Sequence, residues 1–144
     1  MYERMLSYSK VTSRAVDGAE NRVIMKGFSG GLGYSDVYLQ YLQDGCIHLY
    51  GANTEDSNAW KLLSAFELEP GCYTLTGMKN AEENSIALQL YISDDTGFYQ
   101  YYYQWHDDVD FVVERPAKAT LHVRVYPYVE SVDIIARPAV YRNE

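Results

Sequence analysis

The sequence predicts an all-β protein, and within that class an antiparallel β-sandwich of the jelly-roll kind. Three observations lead there. From residue 37 onward apolar and polar residues alternate with a period of two, and hardly any window carries the i, i+3, i+4 spacing of an amphipathic helix. Turn residues separate the runs at short intervals, as many short strands folded into two layers require. The fifteen tyrosines, against four phenylalanines, suit half-buried pleated surfaces on which one end of the ring stays wet.

The elements follow in order. Residues 1–35 are polar and turn-rich and end in GFSGGLGYSD, so they read as an N-terminal extension or linker, with Val23, Ile24 and Met25 as a short run able to supply one strand. Residues 36–144 form the sandwich domain. VYLQYLQDGCIHLYG, residues 37–51, gives two strands around Asp44-Gly45, a dipeptide whose tolerance of positive φ favours a tight hairpin. AFELEPGCYTLTG, residues 65–77, is a strand, a Pro70-Gly71 turn and a second strand ended by Gly77. In SIALQLYIS, residues 85–93, Ile86, Leu88, Leu90 and Ile92 share the core face, while Ala87, Gln89 and Tyr91 share the other. TLHVRVYPYV, residues 120–129, turns Leu121, Val123 and Val125 inward and His122, Arg124 and Tyr126 outward until Pro127 interrupts the ladder. DIIARPAVY, residues 133–141, is a last strand that Pro138 marks as an edge or a bulge.

The totals exclude several classes of function. A chain of 144 residues fits one domain, which at this size buries about 68–70% of its unfolded surface without staples. Twelve Lys plus Arg against twenty Asp plus Glu give a formal charge of −8, a field that repels phosphate backbones, and no basic cluster offsets it, so nucleic acid is not an expected partner. No run approaches the roughly 18 apolar residues of a membrane span, and the N-terminus MYERMLSYSK lacks the apolar stretch of a signal peptide. No membrane insertion is expected, and the chain reads as cytoplasmic when made. Cys46 and Cys72 read as buried free thiols, with a disulfide left open because their strands can be neighbours in a sheet.

The stretch richest in candidate site residues is GFYQYYYQWHDD, residues 97–108. Alternation sends Tyr99, Tyr101, Tyr103 and Trp105 to one face, and Phe98, Gln100, Tyr102, Gln104 and His106 to the other. Two readings stay open. In the first the all-aromatic face fills the core and Gln100 and Gln104 lie in water. In the second that face is an outer platform that stacks on sugar rings, since burying a phenol without a partner costs about 1–3 kcal/mol. The ligand-binding residues are then Tyr101, Tyr103 and Trp105, with Tyr102 and Gln104 as the anchors if the odd face is internal.

Other chemistry is poorly supported. Asp94, Asp95, Asp107, Asp108 and Asp110 carry oxygen ligands of the type calcium prefers, but aspartates at strand ends usually cap turns and no D-x-D-x-D-G loop is present. His48, His106 and His122 are scattered. Neither a metal nor any other cofactor is expected. No nucleophile motif or phosphate-cradling loop occurs, and Glu82 with Glu83 is no more than an adjacent acid pair, so no catalytic residue is assigned and the protein is not expected to be an enzyme.

Several runs taken together carry a family resemblance over roughly the last 110 residues. SDVYLQYLQDGCIHLYGANT, residues 35–54, gives a strand, an Asp-Gly turn and a strand ending in Gly. FELEPGCYTLTG, residues 66–77, is similar to a signature of leucine, proline or alanine, glycine, threonine, tyrosine, threonine, leucine, serine and glycine. ALQLYI and VDFVVERPAKATLHVRVYPYVESVDIIARPAV supply the later strands in the same order. With these the chain resembles a jelly-roll β-sandwich module of the tail, baseplate and minor structural proteins of phages and prophages of Gram-positive bacteria, similar in architecture to carbohydrate-binding modules. It departs from that pattern at Cys72 and at WHDD, residues 105–108.

The resemblance implies a non-catalytic structural and adhesive protein of a virion tail, a contact with cell-wall polysaccharide or other cell-surface glycan, and other tail or baseplate proteins as partners. A homo-oligomer is expected on the same ground, since tail proteins assemble symmetrically. The alternative is a stand-alone bacterial carbohydrate-binding domain.

Overall fold

The computed structural model describes residues 20–25, 29–79, 81, 82 and 84–143. The described residues form the strands β1 Ser29–Gly31, β2 Asp36–Tyr41, β3 Ile47–Asn53, β4 Ala59–Leu68, β5 Gly71–Thr76, β6 Ile86–Asp94, β7 Tyr99–Gln104, β8 Val109–Val113, β9 Ala117–Val125, β10 Val129–Ala136 and β11 Ala139–Asn143. Their only helical piece is one 3-10 turn at Gln43–Gly45. Every pairing is antiparallel.

One layer has the order β4-β9-β6-β7. The other holds two sheets, β10-β3-β2-β1 and β11-β5-β8. β10 and β11 are a single strand broken at Arg137-Pro138; its first half pairs with β3 and its second with β5, so it joins the two sheets into one layer. Most consecutive strands lie in opposite layers, which is the wrapping of a jelly roll and the class the sequence predicts.

The core lies between the layers. β9 alternates without a fault, with Leu121, Val123 and Val125 at 0% exposure, and it belongs to the same buried cluster as Leu88 and Leu90 of β6, Leu39 and Leu49 of β2 and β3, and Tyr73 and Leu75 of β5. Burying a side chain of this kind stabilises the fold by about 1.5–3 kcal/mol. The Asp44-Gly45 turn forms as expected. Both residues take positive φ, 59° and 77°, and the Cys46 amide donates to the Gln43 carbonyl at 3.2 Å, the geometry of a type I′ hairpin. Gly51, in β3, has φ 122° and leaves no room for a side chain, because a Cβ there would lie 1.9 Å from the Asp36 carbonyl oxygen.

Elsewhere the structure refines the strand pattern. Pro70-Gly71 turns the chain from one layer to the other: β4 lies beside β9, and β5 lies between β11 and β8. The Tyr73 hydroxyl donates to the Glu69 carbonyl at 2.6 Å, so this core tyrosine ends its ring on a partner. Gly77 approaches the break in the last strand so closely that a Cβ would sit 2.6 Å from the Arg137 carbonyl oxygen. The Arg137 amide bonds to the Gly77 carbonyl at 3.1 Å. Pro138 is buried at this joint rather than at an exposed edge.

The residues before Val37 that are described pack onto the sandwich. Val23 and Leu32 are 6% and 0% exposed, the Ser64 hydroxyl bonds to the backbone of Ile24, and Asn21 bonds to Pro138 and Val140. Val23–Met25 join no ladder, while among the described residues before Asp36 the strand is β1, paired with β2. Cys46 and Cys72 are both free; the broken last strand separates β3 from β5, so the two never become neighbours. Cys72 is exposed, against the expectation that both thiols are buried.

Candidate functional site

The outer face of the β4-β9-β6-β7 layer gathers most of the exposed aromatic surface near the tyrosine-rich stretch. Cross-strand register sets it row by row. Trp60 lies opposite Arg124, and Arg124 opposite Ala87; Leu62, His122, Gln89 and Tyr103 form the next row; Thr120, Tyr91 and Tyr101 the one after. Tyr91 stands 4.8 Å from Tyr101 and 6.1 Å from Tyr99, ring centre to ring centre, and Tyr101 stands 6.4 Å from Tyr103 with the planes 12° apart.

This decides between the two readings of the stretch. Tyr99 and Tyr101 are 61% and 42% exposed, whereas Gln104 is 0% exposed, so the odd face is the outer one and the expectation that Gln104 lies in water is reversed. The physical reason is satisfaction of polar groups. Outward phenols keep their hydroxyls in water, and the Gln104 amide clasps a backbone: its Oε1 accepts from the Met78 N–H at 2.8 Å, and its Nε2 donates to the Met78 and Asp107 carbonyls at 2.5 and 3.3 Å.

The five residues singled out in the sequence therefore do not converge. Tyr101 and Tyr103 share the outer face. Trp105 does not, because β7 ends at Gln104 and the alternation ends with it; the indole packs half-buried against the core, and its carbonyl accepts from the Ala81 amide at 3.1 Å. Tyr102 faces between the layers, stacked on Phe111 at 5.0 Å, and burial pushes its hydroxyl pKa up. It borders a cleft of about 230 Å³ at the β7–β8 edge, lined also by Ile92, Phe98, Gln100, Val112 and Arg115. Gln104 holds structure and reaches no surface.

Register adds residues that strand patterns alone do not bring together. The Arg124 guanidinium carbon lies 4.3 Å from the Tyr126 ring, 5.1 Å from Trp60 and 5.7 Å from Tyr103. Its Nη1 reaches the Gln89 Oε1 at 3.5 Å, the limit of a hydrogen bond. Gln89 is only 6% exposed although it faces outward, since it lies between His122 and Tyr103. His122 is half-buried with the edge of Trp60 at 6.2 Å, and desolvation lowers its pKa. The Nδ1 of His122 and the Nε of Arg124 are buried without a hydrogen-bond partner. Alternation assigns His122, Arg124 and Tyr126 outward; what it lacks is the pairing that sets them beside Trp60 and Tyr103.

One aspartate anchors a turn and two bond across to a neighbouring strand. Asp94 accepts from the amide and hydroxyl of Thr96 at 2.8 and 2.5 Å, and these bonds hold its pKa below the usual carboxylate value. Asp108 and Asp110 accept from Thr76 and Thr74 on β5 at 2.5 and 2.8 Å. Among the described residues no group of three or more His, Cys, Asp or Glu is placed to hold a metal ion, and no helix is long and apolar enough to cross a membrane.

The fold and this face define a jelly-roll β-sandwich with an aromatic outer sheet. No protein-family model and no curated protein matches the sequence. A chain from the crystal structure of accessory secretory protein 1, 2 and 3 in Streptococcus pneumoniae is similar, with a TM-score of 0.54 and 14% identity over 87% of this chain and 98% of that chain. At that identity the likeness is one of fold.

Proposed function

We propose that this protein is a non-catalytic glycan-binding β-sandwich, and that sugar rings lie across the outer face of the β4-β9-β6-β7 layer. The observation that carries the reading is the row of Tyr91, Tyr99, Tyr101 and Tyr103 on a sheet face, each ring centred 4.8–6.4 Å from at least one other of the four. Exposed tyrosines give a sugar an apolar surface for its C–H faces and hydroxyls for its rim. The same face argues against glycoside hydrolysis, which needs two carboxylates about 5–9.5 Å apart. Among the outward positions of the four strands the only carboxylate is Glu67, and it lies opposite Lys118.

The setting we infer is adhesion by a phage or prophage tail, on the strength of the sequence resemblance in residues 35–54 and 66–77. Calorimetry with cell-wall polysaccharide and a panel of oligosaccharides tests the reading. Tyr101→Ala and Tyr99→Ala are expected to weaken binding by about 1 kcal/mol or more each and to leave the melting temperature in place. No heat of binding at millimolar sugar would retire the proposal.

A further inference from the structure

Resting on that reading, we infer that the glycan is acidic: a sugar polymer bearing carboxylate or phosphate groups, one of which is received at Arg124 while neighbouring rings lie over Tyr103 and Tyr101. Arg124 has no carboxylate counter-ion among the described residues. A guanidinium is always charged and offers five donors in a fork suited to carboxylate or phosphate, yet the only side-chain hydrogen bond of Arg124 among the described residues is the 3.5 Å contact to Gln89.

Twenty acidic residues in the chain make this isolation informative. Where β9, β6 and β7 face outward around Arg124, the residues are Thr120, His122, Ala87, Gln89, Tyr91, Tyr101 and Tyr103, none of them acidic. The rings of Tyr126, Trp60 and Tyr103 hold the positive charge in place by their negative π faces. Apart from the long contact to Gln89, they leave its hydrogen-bonding capacity unused. One row away the buried Nδ1 of His122 also has no partner. An anion brought by the ligand would supply the acceptor that Arg124 lacks, and it would do so beside the only dense aromatic surface on the layer. The overall charge of −8 slows the approach of such a ligand at low salt, but beyond about 8–10 Å it is screened at physiological ionic strength, whereas contact with Arg124 is not.

Three probes of similar length separate the outcomes by calorimetry: a glucuronate-containing hyaluronan oligomer, a wall teichoic acid fragment and a neutral β-glucan oligomer. The wild type is expected to bind at least one anionic probe ten-fold or more tighter than the neutral one, and the preferred arm distinguishes carboxylate from phosphate. Arg124→Gln is expected to erase that preference, while Arg124→Lys keeps part of it. Thermal melts of both variants check that they fold, and the selectivity of the wild type stands as a test without them. Equal affinity for all three probes overturns the acidic ligand and spares the glycan face. Binding of none overturns both.

Discussion

Single side chains divide cleanly between those that hold the fold and those free to meet a ligand. Gln104 is the clearest of the first kind. Gln104→Leu removes the partner of both backbone groups of Met78, and a loss of about 3 kcal/mol is expected in denaturant unfolding. Trp105→Ala should likewise cost stability, about 2 kcal/mol, rather than affinity. His122 gives a dependence on pH. Burial keeps its folded pKa below the unfolded value of about 6.5, so the unfolded chain binds the proton more readily. Its contribution is whole above about pH 6.5 and is lost as pH falls toward the folded pKa. In His122→Gln the melting temperature should therefore fall less between pH 7.5 and pH 5.5 than in the wild type. The outward turn of His122 and Arg124 is readable from alternation, and so is the grouping of Tyr99, Tyr101 and Tyr103. Which way the tyrosine face points is not, because a strand of aromatic and amide residues fits either side until the partner of Gln104, the Met78 backbone 26 residues away, is known.

Among elements, the strands and turns around Asp44-Gly45, Pro70-Gly71 and Pro127 are legible because local backbone chemistry fixes them. Assignment to layers is not local. Pro70-Gly71 looks the same in sequence whether it closes a hairpin or crosses between layers, and only the pairing of β5 with β11 and β8 tells them apart. Trp105 misleads for a related reason: period two holds only while the strand lasts, and β7 stops one residue earlier. At the joint of β10 and β11, Gly77→Ala places a methyl group against the Arg137 carbonyl and the Pro138 Cα at a φ of 139° that side chains avoid. A loss of about 3 kcal/mol or more is expected, read as a lower midpoint in urea. An equal midpoint would mean that the two sheets of that layer are not tied at this point.

For the molecule as a whole, the class of fold was legible and the proposed glycan face was not, since a face assembled from four strands exists only once their register is set. Size in solution separates the two settings proposed for this sandwich. Light scattering is expected to give a trimer or hexamer if the protein assembles in a tail, and a strict monomer that still binds polysaccharide would favour the stand-alone domain. The divided last strand also fixes the order of events during synthesis. Its halves fill the gap between β3 and β5, and the nine other described strands before it leave the ribosome first, so no earlier product can zip that side shut. Nascent chains stalled before Val129 should stay protease-sensitive with poorly dispersed, unstructured spectra, and chaperone demand should end only when the final ladder inserts.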